Sequence, residues 1–203
     1  MATTVWYETH STTTDNENGI ATGWLPGELS ALGRAQADDL GTRIISRRPA
    51  AIFASDLART MQTVTIARER ARREHLDPPV FLDWRLRECD YGELNGAESS
   101  RVHADRTRYL TDPYPGGESW TQAISRIQSA IKDFVARYRD QTIIVVGHSA
   151  TGLGIQAMID RRPPAELITA PFVWQPGWVY RLDPDLSDSE LTTATSDLGE
   201  SEV

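Results

Sequence analysis

The chain has 203 residues, enough for one domain with a sizeable core, and a hydrophobic share of 39%, ordinary for a globular protein. No apolar run approaches bilayer-spanning length, and the start, MATTVWYETHS, lacks the charged and apolar regions of a signal peptide. The expected setting is therefore the cytoplasm, with no membrane partner. The net charge of −8 is concentrated at the end, where Asp183, Asp185, Asp188, Glu190, Asp197, Glu200 and Glu202 supply seven acids and leave −1 for the rest. A body so nearly neutral carries no nucleic-acid footprint. The lone cysteine, Cys89, excludes an internal disulfide framework and a multi-thiolate zinc site, and reads as a small packing residue. Twenty arginines against one lysine, Lys132, reflect a GC-rich, bacterial type of genome rather than a function.

In chain order, Thr3 to Glu8 (TTVWYE) is β-branched and aromatic and predicts a strand. Residues 11–28 are too rich in Thr, Asn and Gly for a core and read as a loop. Leu32, Leu40 and Ile44 then recur at helical spacing, with Ser30 as N-cap. Residues 50–54 (AAIFA) form a short buried-strand run, followed by a helix over 55–72 with Leu57, Met61 and Val64 on one face. Pro79 to Leu82 is a weaker strand signal, and 83–118 reads mostly as loop with one short helix. Trp120, Ile124, Ile127, Ile131 and Phe134 mark an amphipathic helix. TIIVV at 142–146 is the strongest strand signal, a helix follows over about 151–160, and WVYRL at 178–182 closes the list. Alternating strands and helices predict an α/β fold, a mainly parallel central sheet with helices on both faces. The expected organisation is a single domain over 1–183, with a short cap at about 97–118, and an acidic, disordered tail over 184–203.

In open parallel sheets ligands bind outside the carboxyl ends of the strands. His10 follows the first strand, Ser55 to Arg59 the second, and Gly147-His148-Ser149 the strongest one. One histidine after a strand is usually structural; the convergence of these three signals on one sheet edge is what points to a site.

The blocks around these residues resemble the histidine phosphatase family of phosphoglycerate-mutase-like proteins. The family's Arg-His-Gly and following Asn correspond to Thr9-His10-Ser11 and Asn16, and its Thr-Gly-Trp to Thr22-Gly23-Trp24. Its Leu-Thr-x-x-Gly-x-x-Gln-Ala corresponds to Leu29 through Ala37, and its Ser-x-Leu-x-Arg-x-x-x-Thr to Ser55 through Thr63. Leu86-Arg87-Glu88 with Tyr91-Gly92, Gly116-Gly117-Glu118-Ser119 and Val145-Val146-Gly147-His148-Ser149 complete the set, in family order. The resemblance implies a three-layer α/β/α sandwich and a metal-free, cofactor-free phosphatase acting on a small phosphorylated molecule. In that reading His10 is the phosphate-accepting nucleophile, Arg59 clamps the phosphoryl oxygens, His148 donates to them, and Glu88 is the general acid and base. Thr9, Ser11, Asn16, Thr22, Arg87 and Ser149 are the expected phosphate or substrate contacts.

The sequence departs from the family where Thr9 replaces the arginine, with Glu8 beside it. Losing such a donor costs roughly 2.7–4 kcal/mol by analogy with oxyanion-hole deletions. Arg87, Arg101, Arg106 and Arg108 are candidate replacements. The alternative is a divergent member that binds an anionic ligand without turnover or runs altered chemistry. A mutase is disfavoured, because only about 20 residues (97–116) separate the Glu and Gly-Gly-Glu blocks. Trp24, Trp84 and Trp174 are candidate specificity residues, His75 and His103 are expected on the surface, and the oligomeric state, a homodimer included, is open.

Overall fold

The structure is a computed structural model that describes residues 1–160, 162–170 and 173–183. The tail expected over 184–203 lies outside the described residues. A five-stranded sheet has the order β4-β3-β6-β1-β7, formed by β1 (Thr3–Thr9), β3 (Ala51–Ala54), β4 (Val80–Leu82), β6 (Thr142–Gly147) and β7 (Trp178–Leu182). β1 and β3 flank β6 in parallel, β4 lies parallel beyond β3, and only β7 runs antiparallel, against β1. The mainly parallel sheet expected from the sequence is thus present, closed on one side by an antiparallel edge.

Both faces are covered, because successive residues of β6 point to opposite sides. Ile144 and Val146 join Leu40, Ile44, Val64 and Ala67 under α2 (Ala31–Arg47) and α3 (Ala58–Arg72). Ile143 and Val145 join Trp120, Ile127, Ile131 and Ile155 under α5 (Trp120–Arg137) and α6 (Ser149–Ile159). This is the three-layer α/β/α sandwich. α5 has the expected inward stripe, and Ser119 and Gln122 form a capping box at its start.

Leu40, Ile44, Leu57 and Val64 are buried as expected, but Leu32 is 55% exposed and Met61 39% exposed. Small residues complete the packed faces: Gly33, Ala37 and Gly41 on α2, and Thr60, Thr63 and Ala67 on α3. Close approach requires them. A Cβ on Gly33 would stand 1.9 Å from the Thr12 carbonyl, and one on Gly41 would meet the Ala67 carbonyl at 2.7 Å. Gly33 therefore lets α2 press against the backbone that carries the His10 loop.

The segments read as loop contain short elements. Residues 11–28 hold α1 (Thr14–Glu17), started by a Thr13–Asn16 capping box, and β2 (Ile20–Ala21). β2 pairs antiparallel with β5 (Ala97–Glu98), and α4 (Ser99–Ala104) follows, so the cap segment is stitched to the loop after the first strand. α6 begins two residues earlier than expected, with His148 as its N-cap residue, and α7 (Pro164–Thr169) was not foreseen.

Candidate active site

β1, β3 and β6 end side by side, and this brings His10, Arg59 and His148 together from distant parts of the chain. One guanidinium ties the two rings. Arg59, only 2% exposed, donates from Nε to His10 Nε2 and from Nη2 to His148 Nδ1, each at 3.2 Å. It is held from behind by the carbonyls of Gly23 (2.9 Å) and Leu25 (3.3 Å). Arginine has no acceptor, so both ring nitrogens facing it must carry lone pairs.

That fixes the tautomers. His10 keeps its proton on Nδ1, which donates to its neighbour's carbonyl, Ser11 O, at 2.8 Å. Burial, with the Arg59 charge beside it, pushes the His10 pKa down to about 3, although the Ser11 carbonyl works the other way. At neutral pH His10 is therefore an uncharged imidazole whose Nε2 lone pair accepts from Arg59. His148 is fully buried and held well below the usual histidine range, first by burial, then by Arg59 and His10. Its Nε2–H lies 2.9 Å from Ser55 Oγ and 3.3 Å from Thr60 Oγ1. Below it, the Tyr7 hydroxyl donates to the His148 carbonyl at 2.5 Å.

Glu88 lies at the start of α6. Its Oε1 accepts from the backbone N–H of Cys89 (2.8 Å) and Ala150 (3.3 Å), and its Oε2 from the Ser149 hydroxyl (2.9 Å). Its backbone is clamped as well. The Trp24 indole N–H and Arg126 Nη2 both donate to the Glu88 carbonyl, at 2.6 and 2.8 Å, and Arg126 Nη1 reaches the carbonyls of Arg85 and Arg87. Glu118, of the Gly-Gly-Glu-Ser block, pairs with Arg126 and so orients the clamp.

These groups open on a cavity of about 550 Å³. Thr9, His10, Asn16, Thr22, Arg59, Glu88 and Ser149 line it. Four expectations change. His148 is not in the lining; it accepts from Arg59 and so orients the clamp instead of presenting a donor to the cavity. Ser11 is 6% exposed and serves through its backbone, which holds His10 and receives the Thr63 side chain. Arg87 is engaged in a two-bond pair with Asp56, both at 2.6 Å, and lies over the Trp24 ring, outside the lining. Glu8 does not charge the site: strand alternation turns it to the other face, where Arg43 and Arg47 hold it.

Of the cap arginines, Arg106 lines the cavity, while Arg101 and Arg108 are exposed and lie outside the lining. Arg106 rests over the Trp120 ring, with Nη1 on the Ile168 carbonyl, and its Nε is buried without a hydrogen-bond partner. His103, expected as a plain surface residue, borders the cavity, and burial together with Arg106 lowers its pKa despite the opposing Glu88 charge. Trp174 also lines it, whereas Trp84 is a surface residue and Trp24 supports Glu88 from outside the lining. Arg126 gave no sequence signal for its role, because its work is done through backbone carbonyls. Among the described residues, no group of three or more His, Cys, Asp or Glu is placed to hold a metal ion, and no helix is long and apolar enough to cross a membrane.

The sequence matches the family described as "Histidine phosphatase superfamily (branch 1)" over residues 9–194. Phosphoglycerate mutase 1 of Saccharomyces cerevisiae is 36% identical over 89 residues, which is 43% of this chain and 35% of that protein. The match thus spans about a third of the relative's length. Among solved structures, Bacillus stearothermophilus YhfR shares the fold with a TM-score of 0.77 at 24% identity, over 93% of this chain and all of that one. The mycobacterial glucosyl-3-phosphoglycerate phosphatase complexed with VO3 gives a TM-score of 0.69 at 25% identity, covering 84% of this chain and 85% of that one.

Proposed function

The chain belongs to the histidine phosphatase superfamily, branch 1, and from that premise we propose that it is a metal-independent phosphatase that hydrolyses a small phosphomonoester through a phosphohistidine. The observation that carries this reading is the His10–Arg59 pair. A neutral imidazole, its proton held by the Ser11 carbonyl, presents Nε2 to the cavity beside a buried guanidinium. Such a pair combines a nucleophile with the cation that an incoming phosphoryl group needs.

In the proposed cycle the phosphoryl oxygens take over the Arg59 N–H groups that otherwise rest on the two histidines. His10 Nε2 attacks phosphorus, the ester P–O bond breaks, and Glu88 gives its proton to the departing alkoxide. Water then attacks the phosphohistidine, Glu88 takes its proton, and inorganic phosphate leaves with His10 restored. Charge in the transition state is met by Arg59, whose position the Gly23 and Leu25 carbonyls and His148 fix in advance. Asn16, Thr22 and Ser149 line the same space; the Asn16 amide can add a neutral donor, while the Thr22 and Ser149 hydroxyls donate to Asp15 and Glu88.

Thr9 favours a second reading, a protein that binds an anion without turnover, because the family's second cation is missing at the nucleophile. Hydrolysis of p-nitrophenyl phosphate decides between them. The phosphatase reading expects turnover that survives a chelator and is blocked by vanadate. Strict dependence on a divalent cation overturns the mechanism. Anion binding with no turnover across a broad panel of phosphomonoesters favours the second reading.

A further inference from the structure

Next to the catalytic cavity lies another of about 250 Å³. Leu153 and Gln156 of α6, Leu167 of α7, Trp178 of β7 and the Tyr7 ring wall it. Tyr7 and Trp178 are stacked, with ring centroids 5.1 Å apart, so one wall is a continuous aromatic face. The two cavities share Arg106, Ser149 and Ala170 in their linings. The Tyr7 ring borders the second cavity, and its hydroxyl ends on the His148 carbonyl. Ser149 has the same double position on the other side: it borders both spaces and donates to Glu88.

We infer that this second cavity receives the leaving group, and that the substrates are phosphomonoesters of alcohols with a bulky apolar or aromatic body. The inference rests on the phosphatase reading of the site. With phosphorus at His10 and the ester oxygen at Glu88, the alcohol continues past Ser149, and the space beyond Ser149 is this one. Its size suits the role. A cavity of about 150 Å³ lined by aliphatic and aromatic side chains accommodates benzene, so this volume admits a naphthyl-sized body. Arg106, Arg162, Gln156 and Gln175 supply the polar groups that orient a ligand beside the aromatic wall.

The test compares methyl, propyl, hexyl, phenyl and 2-naphthyl phosphate by release of inorganic phosphate. Each methylene that enters the cavity should raise kcat/KM by about fourfold, the fold equivalent of burying one CH2, until the cavity is full. Leu153→Trp fills the space from α6, and Gln156→Trp does so from the next turn. Either variant should remove the preference for hexyl over methyl and for 2-naphthyl over phenyl phosphate, pairs matched in leaving-group basicity, while methyl phosphate hydrolysis stays within about twofold, because neither side chain touches the reacting atoms. A flat series in the unmodified protein, or an unchanged preference in a variant whose melting curve is intact, overturns the inference. Hydrolysis of none of these esters, nor of p-nitrophenyl phosphate, sinks the phosphatase reading itself and the leaving-group seat with it.

Discussion

Replacing Arg59 by methionine keeps the bulk of the side chain and removes the guanidinium, so it tests several consequences of one geometry at once. Four hydrogen bonds disappear: those to His10 Nε2, His148 Nδ1, and the carbonyls of Gly23 and Leu25. Loss of the guanidinium that touches His10 should lower kcat on p-nitrophenyl phosphate by about 10²–10³-fold, or about 2.7–4 kcal/mol. The two carbonyls left without their partner should cost about 1–3 kcal/mol of stability. The pH profile gives the more discriminating readout. Burial is the first cause of the low His10 pKa and Arg59 the second, so the variant's value should rise above about 3 while staying below that of a free imidazole. The acid limb of kcat/KM, which reports the free enzyme, should move up accordingly. The linkage runs the same way. The unfolded chain protonates this histidine near pH 6.5, whereas the folded one stays neutral down to about 3. Stability contributed by the neutral ring is therefore present above pH 6.5 and is lost as pH falls towards 3. In the methionine variant that window closes from its lower end. A kcat loss under tenfold with an unmoved acid limb would refute the reasoning.

Thr9→Arg places a second guanidinium in the lining beside His10. If the site is a weakened phosphatase, kcat on an aryl phosphate should rise by about ten- to a thousandfold; unchanged or lower activity would show that the space is already served or closed. Arg126→Met removes the clamp on the Glu88 backbone and leaves Glu118 without its partner, so stability should fall by about 3 kcal/mol. Its kinetic signature should be a larger kcat loss for propyl phosphate than for p-nitrophenyl phosphate, since only the poorer leaving group needs Glu88 as acid. Equal losses on both esters would mean that Arg126 serves the fold alone.

The long elements were legible because their periodicity extends over several turns or alternations: β6 as an unbroken apolar run, α5 as a stripe from Trp120 to Phe134. The sheet edge that gathers His10, Arg59 and His148 followed from strand ends alone. α1 and β2 were not legible, since four and two residues are too short to show a period. On α2 and α3, where Leu40, Ile44 and Val64 pack as read, Leu32 and Met61 were misplaced for a different reason. Leu32 and Met61 are apolar, but glycine, alanine and threonine are what the close helix contacts demand, and hydrophobicity does not register a missing Cβ. Residue type likewise left Arg87, Arg101, Arg106 and Arg108 as equal candidates to serve the phosphate. Only the structure shows Arg87 committed to Asp56, Arg43 and Arg47 to Glu8 on the far face, and Arg106 beside the cavity. His148 shows the limit most clearly. Its place at the strand end was readable, but its role as acceptor behind Arg59 depends on a tautomer that the arginine imposes, with Ser55 and Thr60 beside the other ring nitrogen.

The central claim is that His10 Nε2 carries the phosphoryl group. Rapid acid-free quenching during turnover of a ³²P-labelled phosphomonoester, followed by peptide mapping, tests it directly. The account predicts label on His10 that is stable in base and lost in acid, as for a phosphoramidate, and absent from His10→Ala. Base-labile label on Glu88, label on His148 or Cys89, or steady turnover by His10→Ala would contradict it.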